Sequence, residues 1–236
     1  MISQCVPTNK FKAITELALK ILPLCGIFLL QHMKVIIVEP LAQSNNITDN
    51  SLLKRVQDMS VYTLADTSLL THGKPMFVPD YGGSCKACCC VAARICRLGK
   101  SIPERFAPRY FDALTVGMRF ELNDLRNELS LKGLPWDVAV SFDGSAVIGR
   151  FVEMGDTPAD NYNISLEVEG EKVASVQFTD LIPAVAHAVA YVSRYYMIRQ
   201  GDVLLLPVYG KMLDARPDTH YVGYINGDDV LEFNVK

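Results

Sequence analysis

From Val61 to Leu206 the sequence is cut by glycine and aspartate turns into short apolar runs, a spacing that leaves little room for a helical fold. The first runs are Val61-Tyr62-Thr63-Leu64, Met76-Phe77-Val78-Pro79, Val91-Ala92-Ala93-Arg94-Ile95 and Ala146-Val147-Ile148. Ile164-Ser165-Leu166-Glu167-Val168, Val173-Ala174-Ser175-Val176 and Val203-Leu204-Leu205-Leu206 follow. Each is short and rich in side chains that suit a pleated surface, so each predicts a strand. Turn signals separate them at Thr71-His72-Gly73-Lys74, Asp80-Tyr81-Gly82-Gly83 and Asn226-Gly227-Asp228, and Glu169-Gly170-Glu171 between two alternating runs predicts a hairpin. Helical spacing is confined to a short surface helix between Asn45 and Val61, built on Leu52, Leu53, Val56 and Met59, and to Pro108–Gly117, Asn123–Lys132 and Leu181–Tyr196. In the last of these Leu181, Val185, Ala188, Val189 and Val192 share one face. The pattern predicts an α+β, mainly β domain with few helices.

The chain has 236 residues, 50% of them hydrophobic, enough for one large core. Its formal charge of −3 offers no bulk attraction for nucleic acid or an anionic membrane, and neither is expected as a partner. Of seven cysteines, four fall in Cys85-Lys86-Ala87-Cys88-Cys89-Cys90. Adjacent cysteines on one strand rarely bridge each other, so this clustering points to a reducing, cytoplasmic setting. Near the amino terminus Glu16 and Lys20 interrupt the apolar pattern and leave a stretch too short to span a bilayer of ~30 Å. That stretch also lacks the small-x-small cleavage site of a signal peptide. Residues 1–32 are therefore read as an extension, and the domain proper as 33–236, opening on the strand Met33-Lys34-Val35-Ile36-Ile37-Val38.

Specific motifs emerge in the second half. Arg97-Leu98-Gly99-Lys100, Phe106-Ala107-Pro108-Arg109-Tyr110-Phe111-Asp112-Ala113-Leu114-Thr115-Val116-Gly117 and Lys132-Gly133-Leu134-Pro135-Trp136 come first. They are followed by Ser141-Phe142-Asp143-Gly144-Ser145-Ala146-Val147-Ile148-Gly149, Leu166-Glu167-Val168-Glu169-Gly170-Glu171, Ala190-Tyr191-Val192-Ser193-Arg194 and Gly201-Asp202-Val203-Leu204. In this order and spacing they resemble the fumarylacetoacetate hydrolase family over roughly residues 61–205. The resemblance implies a mixed β-roll, usually a homodimer, whose members hydrolyse, decarboxylate or isomerise small diketo acids and related carboxylates with Mg²⁺ or Mn²⁺.

In that family a Glu-x-Glu strand and a later Asp hold the metal, and a Lys after the Pro-Trp motif binds substrate. Carried over position by position, the resemblance places the metal ligands at Cys88, Cys90 and Arg119 and the pocket Lys at Val140. The Thr-Gly-Thr-Pro loop reads Leu206-Pro207-Val208-Tyr209, and no Gly-x-Asn-Tyr motif or lid His follows Val38. Asp124 and Asp143 are kept. A fixed guanidinium among the ligands would repel Mg²⁺ by several kcal/mol at an effective dielectric of about 20, and thiols are poor ligands for Mg²⁺.

The scaffold is thus expected to be retained without its metal chemistry or any metal cofactor, as a non-catalytic homologue that binds a small carboxylate or acts through its dimer surface. In the carboxylate version Arg119 grips the ligand by a bidentate bond; the plainer reading makes Arg119 a solvated or paired surface arginine. Cys88 and Cys90 are read as small packing residues, with zinc ligation or a thiol activated by Arg119 as alternatives. Asp124 and Asp143 are read as turn or cap residues able to pair with Arg119. A divergent enzyme acting on an oxo acid without the usual Mg²⁺ site is the remaining alternative.

Overall fold

The computed structural model describes residues 33–40, 51–56, 58–71, 73–155, 161–208 and 212–236. The expectation for residues 1–32 therefore lies outside the described residues, as do His72 and Tyr209.

Among the described residues thirteen strands form two sheets. The larger runs in the order β2 (Met59–Leu64), β1 (Val35–Pro40), β10 (Val203–Pro207), β4 (Cys85–Ile95), β5 (Phe111–Leu122), β6 (Ala146–Ile148), β3 (Leu69–Thr71). Short β11 (Leu213–Asp214) adds to β4, and β7 (Val152–Glu153) to β5. The smaller sheet is β13 (Asp228–Val235), β12 (Thr219–Ile225), β8 (Tyr162–Val168), β9 (Glu171–Phe178). Parallel pairing occurs at β1/β10 and β3/β6, and the other named pairs are antiparallel, so the architecture is mixed and mainly β. Lys34–Lys236 forms one compact unit.

The long central strands β4 and β5 are buried on both faces. On one face Ala87, Cys89, Val91, Leu114, Val116, Met118 and Phe120 join the main hydrophobic cluster, together with Tyr221 and Phe233 of the smaller sheet. Tyr221 and Phe233 stack with ring centroids 5.2 Å apart, and Phe120 meets Phe233 edge-on at 6.0 Å. At Gly149 an added Cβ would strike the Val230 carbonyl and come within 2.7 Å of Thr115 Oγ1, so close approach of the two sheets requires glycine there. The opposite face of β4 and β5 carries Cys88, Cys90 and Arg119.

Four α-helices are described: α1 (Leu52–Arg55), α2 (Asn123–Leu131), α3 (Asp137–Val140) and α4 (Leu181–Tyr195). The predicted face of α4 is indeed the buried one. The β8–β9 hairpin turns at Glu169 and Gly170, whose φ values of 53° and 79° suit the twist of a tight two-residue loop. Three expectations need correction. Phe111–Gly117 is strand, not helix, because a run buried on both faces loses the alternation that would mark it; the helical piece before it is a 3-10 turn over Glu104–Tyr110. The helix expected between Asn45 and Val61 shrinks within the described residues to α1, and Leu52 and Val56 are fully buried, so it is no surface helix. Asp180, just ahead of α4, accepts bonds from the Leu52 and Leu53 amides at 3.1 and 3.0 Å and ties the start of α1 down. Met76–Pro79 forms only an isolated bridge, Met76 with Val235, between two prolines that cannot donate to a ladder.

Candidate functional site

The β4–β5 register sets Cys88 directly opposite Arg119 and Cys90 opposite Gly117. Because strand side chains alternate, Cys88, Cys90, Arg119 and Glu121 share the face turned away from the main cluster, while Cys89 packs into that cluster. The three positions that the resemblance assigns to metal ligands are thus neighbours in space.

Arg119 is no surface arginine: it is 2% exposed. Its Nη1 donates to the Tyr62 hydroxyl at 2.6 Å and to Glu121 Oε2 at 3.1 Å, and its Nη2 to Glu39 Oε1 at 3.2 Å. Glu39 is the next-to-last residue of β1, and Tyr62 of β2 lies opposite Ile37 of β1. From α2, Arg126 donates through Nη2 to Glu39 Oε2 at 2.7 Å and through Nη1 to both Glu39 and Glu121. Its guanidinium lies 4.8 Å over the Trp136 ring, and Trp136 meets Tyr62 at 5.0 Å with the rings perpendicular. Two cations and two carboxylates therefore close a formally neutral cluster.

The titration behaviour follows from this geometry. Burial works to raise the Glu39 carboxyl, but the hydrogen bond from Arg126 and the charges of Arg119 and Arg126 outweigh it and hold the group below the usual carboxylate value. Burial works against the charge on Arg119, yet Tyr62, Cys88, Glu39 and Glu121 together hold its pKa well above the ordinary value. The hydrogen bond from Cys90 pulls the Cys88 thiol down against burial, with Arg119 adding to the pull, whereas burial pushes Cys90 well up.

The remaining expected positions contribute no side chain to the hydrogen bonds of this cluster. Val140 is buried at the end of α3. Asp143 sits exposed in a turn. Asp124, in the first turn of α2, accepts the Ser84 amide at 2.7 Å, which ties the helix to the residue before β4 and does not cap it. Neither appears in an ion pair with Arg119 among the described residues. Sequence reasoning missed Glu39, Tyr62, Glu121, Arg126 and Trp136. Glu121 was within reach, since it stands two residues beyond Arg119 and so on the same face of an alternating strand; Glu39 directly follows the strand expected at Met33–Val38.

A hard divalent cation takes oxygen ligands. The assigned positions offer two thiols and a guanidinium, and the two carboxylates beside them are held by arginines. The residues present do not fit Mg²⁺ or Mn²⁺. Among the described residues no group of three or more His, Cys, Asp or Glu side chains is arranged to hold any metal.

A two-sheet mixed β fold whose central strands carry this site matches the family model for the fumarylacetoacetate (FAA) hydrolase C-terminal over residues 38–221, and the chain belongs to that family. Among relatives it is 26% identical to the mitochondrial oxaloacetate tautomerase FAHD1 of Mus musculus, over 72% of this chain and 77% of that one. With the FAHD1 of Rattus norvegicus it shares 26% identity over 59% of this chain and only 63% of the relative's length. The Escherichia coli oxaloacetate tautomerase YcgM is 25% identical over 59% and 65%. In fold it resembles the fumarylpyruvate hydrolase from Pseudomonas aeruginosa, solved with Mn²⁺ and pyruvate, with a TM-score of 0.72 at 23% identity over 86% of this chain and 88% of that one. A fumarylacetoacetate hydrolase family protein from Yersinia pestis gives 0.73 at 21% identity, covering 86% and 92%.

Proposed function

We propose that this chain is a non-catalytic member of its family in which an arginine–glutamate cluster replaces the metal centre. The observation that carries this reading is the pairing of buried Arg119 with Glu39 and Glu121, completed by Arg126. A metal would have to displace two arginines from their carboxylates. Breaking such buried pairs costs about 3–5 kcal/mol for each partner left alone.

The same pairing bears on the ligand. Arg119 already meets two carboxylates of its own chain, so an external carboxylate would have to compete with Glu39 for Nη2. This favours the other role open to such a homologue, one carried by its surfaces, with the homodimer as part of the reading. Sedimentation should then report about twice the chain mass of 26.2 kDa.

A second reading, a metal-independent enzyme acting on an oxo acid, draws on the lowered Cys88 thiol beside Arg119. Cys88 is 3% exposed, which keeps a substrate from reaching it in this arrangement. The two readings separate in one assay, the tautomerisation of oxaloacetate followed by enol absorbance with Mg²⁺, with Mn²⁺ and with EDTA. The first reading expects only the background rate and no stoichiometric metal on the purified protein. Turnover abolished by EDTA would overturn it. EDTA-resistant turnover lost in Cys88→Ser would establish the second.

A further inference from the structure

The chain's net charge of −3 hides a strong segregation. Residues 96–110 and 193–201 hold Arg97, Lys100, Arg105, Arg109, Arg194 and Arg199 with Glu104 as their one carboxylate, a net +5, so the rest of the chain carries −8. All six cations are exposed, and none pairs with a carboxylate among the described residues. Of the other eleven Lys and Arg side chains described, eight do.

The two segments lie side by side within Lys34–Lys236 and together make a basic end of their own. Gly99 and Ile198 exchange backbone hydrogen bonds at 3.0 and 2.9 Å, and the Ser101 amide donates to the Ser193 carbonyl at 2.8 Å. The Lys100 amine donates to the carbonyls of Arg194 and Tyr195 at the end of α4, at 3.1 and 2.7 Å. Arg105 and Arg109 both lie over the Phe106 ring, at 4.7 and 5.4 Å. Between these cations apolar side chains stand out into solvent: Leu98 at 65% exposure, Tyr195 at 59%, Met197 at 49% and Phe106 at 37%.

We propose that this end docks on an anionic phospholipid surface. Arginines and lysines there meet headgroup phosphates, while aliphatic and aromatic side chains between them enter the boundary with the acyl chains. The alternatives fit less well. An isologous contact with a second copy would set six cations against six, which opposes association. A single-stranded nucleic acid needs successive stacking platforms; Leu98 and Met197 provide none and Arg105 and Arg109 lie over the Phe106 ring, which leaves Tyr195 as the one open aromatic among the four. None of these residues belongs to the Arg119 cluster, so the proposal stands apart from the reading of that site.

The test is co-sedimentation of the full chain with phosphatidylcholine vesicles, with and without phosphatidylglycerol, from low salt to about 0.5 M. Binding should require the anionic lipid and fall with salt. Each cation near such a surface contributes about fivefold to partitioning, so Arg105→Glu/Arg109→Glu should reduce it at least about twentyfold with unchanged thermal unfolding. Leu98→Ser/Met197→Ser should remove the part of the binding that survives high salt. The control Lys74→Glu/Lys172→Glu reverses two exposed cations outside this end and should change partitioning by less than about threefold. The proposal is overturned if the anionic vesicles do not bind, if binding is unchanged by the Arg105/Arg109 reversal, or if the control loses as much. It is equally overturned if an oligonucleotide or an acidic peptide binds where the vesicles do not. No outcome involves turnover, so failure here leaves the non-catalytic reading standing.

Discussion

Arg119 and Arg105 carry the same guanidinium in opposite circumstances. Arg119 is buried on β5 and meets Glu39, Glu121 and Tyr62, whereas Arg105 is exposed and rests on the Phe106 ring. Water screens the second, so its contribution to folding is small whether or not a partner is near. The first is fixed by the cost of leaving any of its partners alone in a poorly solvated place. A buried arginine thus reports what the fold has committed to, and an exposed unpaired one reports what is still available to a partner.

The sharpest way to break this contrast is Arg119→Met. It strands Glu121, whose side chain is 4% exposed, with Arg126 as its remaining cation, and should cost about 3–5 kcal/mol in urea denaturation. Arg119→Met/Glu121→Leu removes both charges and should recover most of that loss. If the single variant cost under about 1 kcal/mol, the cluster would be no more than an ordinary surface pairing.

Arg126 lies between the two extremes, with its side chain 21% exposed. It carries more than its own stability, because α2 has no fully buried residue and is held by few contacts: this side chain, the Asp124 bond to Ser84, the partly buried Leu125 and two backbone bonds at its start. Arg126→Ala should cost about 1–3 kcal/mol and loosen residues 123–140 in hydrogen exchange. Trp136 is the only tryptophan of the chain, so its fluorescence should shift to the red as Arg126 leaves its ring.

Acid offers a gentler perturbation of the same cluster. The folded Glu39 pKa lies below the ordinary 4.5, so its contribution to stability is fully present above pH 4.5 and is lost as pH falls through the lower, folded value. Glu39→Gln cannot make this contribution at any pH. The stability gap between wild type and Glu39→Gln should therefore narrow as pH drops below 4.5, and a gap that stays constant would show that Glu39 is not ionised in the fold.

How far these differences could be read from the sequence depends on whether a residue's role is set locally. The β8–β9 hairpin was legible because Glu169 and Gly170 encode their own turn, and α4 because its apolar face repeats at helical spacing. β5 was misread because, buried on both sides, it shows neither period until Arg119 and Glu121 restore the alternation. The site was half legible. Cys88, Cys90 and Arg119 were located by motif spacing, and strand pairing brings them together. Their partners were not located: Glu121 stands on β5 itself and Arg126 on the helix that directly follows it, while Glu39 comes from β1, which β10 and β4 separate from β5 in the sheet, so only the folded sheet brings it to Arg119. The basic end was hidden for the opposite reason, since a whole-chain charge averages +5 against −8.

The smallest expected effect tests the exposed side of the comparison. Arg105→Gln removes one unpaired cation from an end that keeps five others, so the mutual repulsion there falls while no ion pair is lost. Thermal unfolding should change by less than about 0.5 kcal/mol, and in the stabilising direction. The gain should fade as salt rises, because screening over ~8–10 Å already suppresses repulsion between exposed charges at physiological ionic strength. A loss of 2 kcal/mol or more, on the order of a buried-partner effect, would mean that Arg105 holds the fold much as Arg119 does, and the division between committed and available arginines would fail.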